Sequence, residues 1–254
     1  MADDTLPVFS LFADARAVRI GACSGDRPGG ELGGGAAMIE LQQLVAGYDR
    51  QPITRPLNDV ILRGSMTAIT GANGCGKSTL LRTLAGFLPA VSGAFRWREK
   101  RPVIGWLAQR HELEAQFPLT VADVVSMGCW PRISLFAGFG RQSRARIDQA
   151  LERVGLTAMA GAVIDELSGG QFQRMLFARI LVQQAPLVML DEPFTGVDEA
   201  TSNILMELML DMSQQGQTVL AVLHDSERVT RHFSQILRLD AATTLPAGER
   251  MRVA

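Results

Sequence analysis

The sequence predicts an α/β domain built on a mainly parallel sheet, with a helical lobe inserted near its middle. Three observations predict it. Two apolar runs, Pro186 to Glu192 (PLVMLDE) and Thr218 to Asp225 (TVLAVLHD), end in polar residues, as strands buried on both faces of a parallel sheet do. A helical stretch from Glu199 to Gln215 separates them and stops at Gly216. Between about Arg110 and Gly169 no long β run occurs, and Arg141 to Gly155 reads as an amphipathic helix with Ile147, Leu151 and Val154 on one side.

Taken in order, residues 1–37 differ from the rest. Gly21 to Ala37 reads GACSGDRPGGELGGGAA, too rich in glycine for a packed element. We expect a disordered extension here, with Met38 a natural alternative start; the competing reading is a tail folded onto the body. Periodic structure opens at Met38 with the strand MIELQQLV. Ser65 to Thr70 is a second short β-rich run, and Lys77 to Phe87 has helical composition. The main domain is expected over 38–245, with the lobe over about 110–170 and a tail at 246–254.

Composition narrows the function classes. The chain of 254 residues is 47% apolar and 20% charged, an ordinary globular balance. Lys plus Arg number 25 against 26 Asp plus Glu, which gives no electrostatic reason to expect a nucleic-acid partner. Apolar runs are far shorter than the ~20 residues of a membrane-spanning helix, so the chain is not itself a channel. The three cysteines lack CxxC spacing and suit a reducing compartment. The first residues lack a secretory-signal pattern, and a cytosolic location is expected.

Gly71-Ala-Asn-Gly-Cys-Gly-Lys77-Ser78 follows a predicted strand and precedes a predicted helix, the context a phosphate-binding loop requires. Its glycines let backbone N–H groups close around phosphate oxygens, and the helix start adds favourable partial charge. Lys77 is placed to reach the β- and γ-phosphates and Ser78 to hold Mg²⁺. Cys75, inside the loop, is either a reactive thiol or a small filler. Asp191 and Glu192 are carried by a buried strand to the end where parallel sheets place ligand-facing residues. Asp191 suits Mg²⁺, and Glu192 suits orienting and deprotonating a water. Leu167-Ser-Gly-Gly-Gln171 is the most specific signal: Ser168 caps the helix that follows, 19 residues before Leu187-Val-Met-Leu-Asp-Glu192, and His224 ends the next strand.

These motifs resemble the ATP-binding cassette of ABC transporters over about Met38 to Asp240. Gly71 to Thr79 is similar to Walker A, Gln109 to the Q-loop, Leu167 to Gln171 to the signature, Leu187 to Glu192 to Walker B, Thr195 to Asp198 to the D-loop and His224 to the switch histidine. The resemblance implies a P-loop NTPase (RecA-like) core with N-terminal antiparallel strands and an ATPase activity. It implies ATP and Mg²⁺ as cofactors, with Tyr48 stacked on adenine and Gly71, Asn73, Gly74, Gly76, Lys77, Ser78 and Thr79 around the phosphates. Glu192, His224 and Gln109 are the implied catalytic residues, and Ser78, Gln109 and Asp191 the implied Mg²⁺ ligands. Two copies are implied to sandwich ATP, each site borrowing Ser168, Gly169, Gly170 and Gln171 from the other chain, with Asp198 communicating between them.

A narrower resemblance runs from Gln109 to Gly128. Its Phe117-Pro-Leu-Thr-Val-Ala-Asp-Val-Val-Ser-Met-Gly128, with the later Asp191 to Asp198, is similar to cassettes of manganese, zinc and iron importers. It implies a subunit on the cytoplasmic face of the inner membrane. That subunit works with an integral membrane permease, and an extracytoplasmic metal-binding protein feeds the permease. Cassettes for ferric siderophores, and soluble cassettes outside transport, are the alternatives; a P-loop kinase or GTPase leaves Leu167 to Gln171 unexplained. Thr120 can cap a helix with Asp123 in its first turn. Val121, Val124 and Val125 then face either a permease or the lobe itself, and the aromatic segment Trp130 to Phe139 poses the same choice. Three histidines and three cysteines, none at ligand spacing, predict no transition-metal site in this chain.

Overall fold

The computed structural model describes residues 36–107, 118–132 and 140–240. The expected glycine-rich extension and the tail at 246–254 lie almost wholly outside them, as does Gln109. Strand β1 (Ala37–Val45) leads into a hairpin of β2 (Gly47–Tyr48) and β3 (Gln51–Pro52). Its two turn residues, Asp49 and Arg50, both have positive φ, as a type I′ turn demands. Strands β4 (Leu57–Leu62) and β6 (Ser92–Trp97) flank β1 on either side, antiparallel, in the order β4-β1-β6.

The larger sheet is wholly parallel. It comprises β5 (Met66–Gly71), β7 (Ile104–Leu107), β8 (Leu187–Asp191), β9 (Thr218–Val222) and β10 (Gln235–Leu239), in the order β10-β5-β9-β8-β7. Its register pairs Val222 with both Ile69 and Asp191, so β8 and β9 end level and β5 runs two residues further, to Gly71. All five residues of β8 are buried, as the continuous apolar run predicts. Each such aliphatic side chain contributes about 1.5–3 kcal/mol relative to exposure.

Alternation along these strands divides the core in two. Val188, Leu190, Val219 and Ala221 face one cluster. Leu187, Met189, Leu220 and Val222 face the other, which holds Ile39 and Leu44 of β1 and Leu80, Leu81 and Leu84 of helix α1 (Lys77–Ala85). Helix α1 ends two residues earlier than its composition suggests, because Gly86 takes the left-handed cap at φ 81°.

The inserted lobe is helical: α2 (Val121–Ser126), a 3₁₀ turn at Met127–Arg132, α3 (Arg141–Arg153) and two further single turns. Thr120 and Asp123 form a reciprocal capping box at the start of α2. Val121, Val124 and Val125 are buried in the first cluster with Leu151 and Val154. Of the two readings of those valines, the structure therefore supports packing inside the lobe. Of the aromatic segment only Trp130 is described with its side chain, and it is half exposed. Helix α4 (Gly169–Gln183) joins lobe to sheet, contributing Met175, Phe177 and Ile180 to the same cluster. Arg179 on α4 donates to the Trp106 carbonyl on edge strand β7, and burial lowers its guanidinium to about 10. Helices α5 (Glu199–Gln214) and α6 (Ser226–His232) complete the described chain.

Candidate functional site

Strand β5 releases the chain at Gly71 into a loop whose shape only glycine permits. At Gly71 (φ 152°) a Cβ would lie 2.4 Å from the Leu239 carbonyl oxygen and 2.7 Å from Cys75 Sγ. At Gly76 (φ 96°) it would meet Ile53 and Thr54 side chains at 2.8 Å. Gly76 is the N-cap of α1, so the first N–H groups of that helix, which have no intrahelical partner, open toward the loop. The Lys77 ammonium folds back onto the loop, donating to the carbonyls of Gly71 (3.1 Å) and Ala72 (2.9 Å). Cys75 is fully buried within the second core cluster, which supports its reading as a filler under the loop.

Strand β8 delivers Asp191, 1% exposed, beside this loop, where its Oδ1 accepts from Ser78 Oγ at 2.8 Å. The next residue, Glu192, adopts φ 51°. That left-handed conformation is uncommon for a side-chain-bearing residue and further disfavoured before Pro193. It turns the carboxylate out of the sheet: Oε1 lies 2.8 Å from His224 Nε2, and Oε2 accepts from Thr195 Oγ1 at 3.2 Å. His224 follows β9 by two residues and is exposed. A cleft of about 600 Å³ results, lined by Ile53, Asn73, Gly74, Gly76, Lys77, Ser78, Thr79, Glu192 and His224. A second hollow of about 470 Å³ adjoins it, sharing Glu192 and His224 and reaching Asp225, Glu199 and Arg228.

The other sequence-predicted residues sit apart. Tyr48 is exposed at the hairpin turn and accepts from Arg82 of α1 at 3.5 Å; Ile53, at the far end of that hairpin, lines the cleft instead. Ser168 to Gln171 and Asp198 line neither hollow. Ser168 caps α4 in a reciprocal box: its Oγ accepts from the Gln171 N–H, and Gln171 Oε1 accepts from the Ser168 N–H. Gly170 packs against the start of α5 so closely that a Cβ there would lie 2.8 Å from Thr201 Oγ1. Asp198 is the N-cap of α5. Hydrogen bonds from the Thr201 N–H and then the Thr201 hydroxyl hold its carboxyl below the usual carboxylate range.

Ile53 and Gln173 were not signalled by the sequence. Ile53 is a lone apolar residue in a polar arm. Gln173 is a polar residue between Phe172 and Arg174 on α4; it is buried, and its Nε2 donates to the Pro193 carbonyl at 2.8 Å. Among the described residues no group of three or more His, Cys, Asp or Glu is gathered as a metal site, and no helix is long and apolar enough to cross a membrane.

Comparison with known proteins places this geometry. A family model described as ABC transporter matches residues 55–195. The zinc transport system ATP-binding protein TroB of Treponema pallidum is 37% identical over 215 residues, covering 83% of this chain and 81% of its own. The manganese transport system ATP-binding protein MntB of Listeria innocua is 36% identical over 210 residues, covering 80% and 86%. Among solved structures, an inward-facing assembly described as a metal-chelate type ABC transporter superposes with a TM-score of 0.71 at 31% identity, covering 81% of this chain and 80% of that one.

Proposed function

The chain belongs to the ABC transporter family as an ATP-binding, ATP-hydrolysing subunit, and from that premise we propose that it powers import of a divalent metal ion, zinc or manganese, through a separate membrane permease. The observation that carries the hydrolytic reading is the convergence of two pairs on one cleft: Lys77 with Ser78 from the loop after β5, and Glu192 with His224 from the ends of β8 and β9. The cargo reading rests on the zinc and manganese systems to which the two relatives belong.

In this reading the loop N–H groups, Asn73, Gly74, Gly76 and Thr79 cradle the phosphates of ATP. Lys77 leaves the Gly71 and Ala72 carbonyls to neutralise the β- and γ-phosphates. Glu192 is the general base that takes the proton of the attacking water, and His224, 2.8 Å away, orients that carboxylate. The donor set fits Mg²⁺: Ser78 Oγ and a buried Asp191 carboxylate are hard oxygens already 2.8 Å apart, the sort of sparse set that holds Mg²⁺ together with substrate phosphates. When bound, the ion offsets charge on the phosphate oxygens. Gln109 completes this set in our proposal, and Tyr48, exposed on the β2–β3 hairpin, stacks on adenine.

Ser168, Gly169, Gly170 and Gln171 lie away from their own cleft, which supports their use by the cleft of a second copy; Asp198, exposed nearby, belongs to that contact. A peripheral position on the cytoplasmic face of the inner membrane follows from coupling to a permease, with an extracytoplasmic metal-binding protein supplying cargo to it. The inward-facing relative favours a second reading in which the cargo is a metal chelate, such as a ferric siderophore. Uptake of radiolabelled zinc, manganese and a ferric chelate, compared between cells with the chain and cells lacking it, separates the two. Loss of zinc or manganese uptake is expected, and loss of chelate uptake alone would overturn the first reading.

A further inference from the structure

Gln173 has no place in the site as described so far, yet it touches the turn that aims Glu192. It lies on α4, two residues beyond Gln171, and is 5% exposed. A buried amide needs partners, and Nε2 finds one in the carbonyl of the buried Pro193, at 2.8 Å. Pro193 directly follows Glu192, whose φ of 51° is disfavoured both for a residue with a side chain and for a residue preceding proline. A conformation of that kind persists only where its surroundings hold it. The Thr195 N–H holds it from one side by donating to the Glu192 carbonyl at 3.2 Å, and Gln173 holds the following peptide from another.

We infer that Gln173 is a positioning residue for Glu192, fixing the carboxylate direction and linking the helix that begins at Ser168 to the turn that follows β8. The inference rests on the reading of Glu192 as general base. Ser168 to Gln171 open α4, and Gln173 lies in the next half-turn. A shift of the helix on engaging a phosphate is therefore passed through this hydrogen bond to the Pro193–Phe194 peptide, one peptide beyond Glu192. The bond joins residues 20 apart in sequence.

The test uses the purified full chain and steady-state ATP hydrolysis across pH. Gln173→Met keeps length and burial and removes the donor; kcat should fall by roughly 10-fold or more, since small misplacements of a reacting group cost that much. KM for ATP should stay near wild type, because nothing in the cleft has been removed, while the Pro193 carbonyl left without its donor lowers the thermal midpoint modestly. In Gln173→Glu the ionised carboxylate repels the Pro193 carbonyl, whereas its protonated form donates an O–H to it. The activity of that variant relative to wild type should rise as pH falls, while the ratio for Gln173→Met stays flat. Unchanged kcat in Gln173→Met, or a raised KM with kcat intact, overturns the inference, as does a pH-independent ratio for Gln173→Glu. Glu192→Gln is assayed alongside. Near-normal turnover in that variant removes the general-base reading itself, whereas a dead Glu192→Gln beside an unimpaired Gln173→Met removes only the positioning role.

Discussion

Ser78 and Asp191, 113 residues apart in sequence, are joined by a 2.8 Å hydrogen bond from Ser78 Oγ to Asp191 Oδ1. One residue lies in the first turn of α1 after the phosphate loop, and the other ends β8. The bond exists because the parallel register sets β5 and β8 on either side of β9 with their carboxyl ends at the same edge of the sheet.

A shared Mg²⁺ predicts a specific asymmetry. Asp191→Asn keeps an acceptor for Ser78 Oγ but loses the charge. Affinity for MgATP should fall by roughly 10-fold or more, the scale of one charge-assisted interaction. Affinity for ATP in the presence of a chelator should change little. Calorimetry with and without Mg²⁺ checks this, and equal losses in both conditions would argue that Asp191 serves the loop's structure instead.

Gly170 offers a second test, independent of nucleotide. Gly170→Ala puts a methyl group 2.8 Å from Thr201 Oγ1 and 3.2 Å from Asp198 Oδ2, so the junction of α4 and α5 must spread. Overpacking of this kind costs about 1–3 kcal/mol. Thr201→Ala removes the obstructing hydroxyl, and the double variant should recover part of the thermal stability lost by Gly170→Ala. Additive losses in the two single variants would show that the contact is not the cause.

The parts of the fold legible in the sequence are those where one physical rule dominates. Strand β8 is readable because both its faces are buried, and α5 because its helical composition stops at Gly216. Strand β7 is four residues long, contains Gly105 and sits at the sheet edge, so neither length nor alternation marks it. Strand β4 is mostly exposed or half-buried, and only its pairing with β1 makes it a strand. The site divides in the same way. Gly71 to Ser78 is a local solution to holding phosphate, with its spacing written in one stretch. The Gln173–Pro193 bond and the Ile53 wall depend on which elements end up adjacent, and no local pattern records that. Tyr48, which a motif marks, and Ile53, which none marks, stand five residues apart on the same arm, and only Ile53 lines the described cleft.

Two capping carboxylates set an acid limit. The Thr120 hydroxyl and then the Thr120 N–H lower the Asp123 carboxyl below its ordinary 3.8, and Thr201 lowers Asp198 in the same way. Because the folded values are depressed, the stabilisation is fully present above the unfolded value and is lost as pH falls through the folded one. Asp123→Asn should therefore be less stable than wild type at neutral pH, with the difference shrinking below pH 3.8. Denaturant titrations at several pH values check the convergence, and a constant difference down to acid would refute it.

Cys75 provides the last test, because the two readings of its thiol predict different chemistry. Its Sγ lies under Gly71, close enough that a Cβ there would approach it to 2.7 Å, and the residue is fully buried. An alkyl group has no room unless the loop lifts away from Leu239. Labelling at Cys75 should therefore be slow in the native chain, and slower still with ATP, which holds the loop closed around its phosphates. Protein alkylated at Cys75 should no longer bind ATP. Cys129 is also buried, so the site of modification must be read by mass spectrometry. Cys75→Ala, which removes only a small buried group, should bind and hydrolyse ATP nearly as wild type does if the residue is a filler. Undiminished ATP binding by the alkylated chain would contradict the closeness of Sγ to the loop. A large loss of turnover in a stably folded Cys75→Ala would restore the reactive-thiol reading.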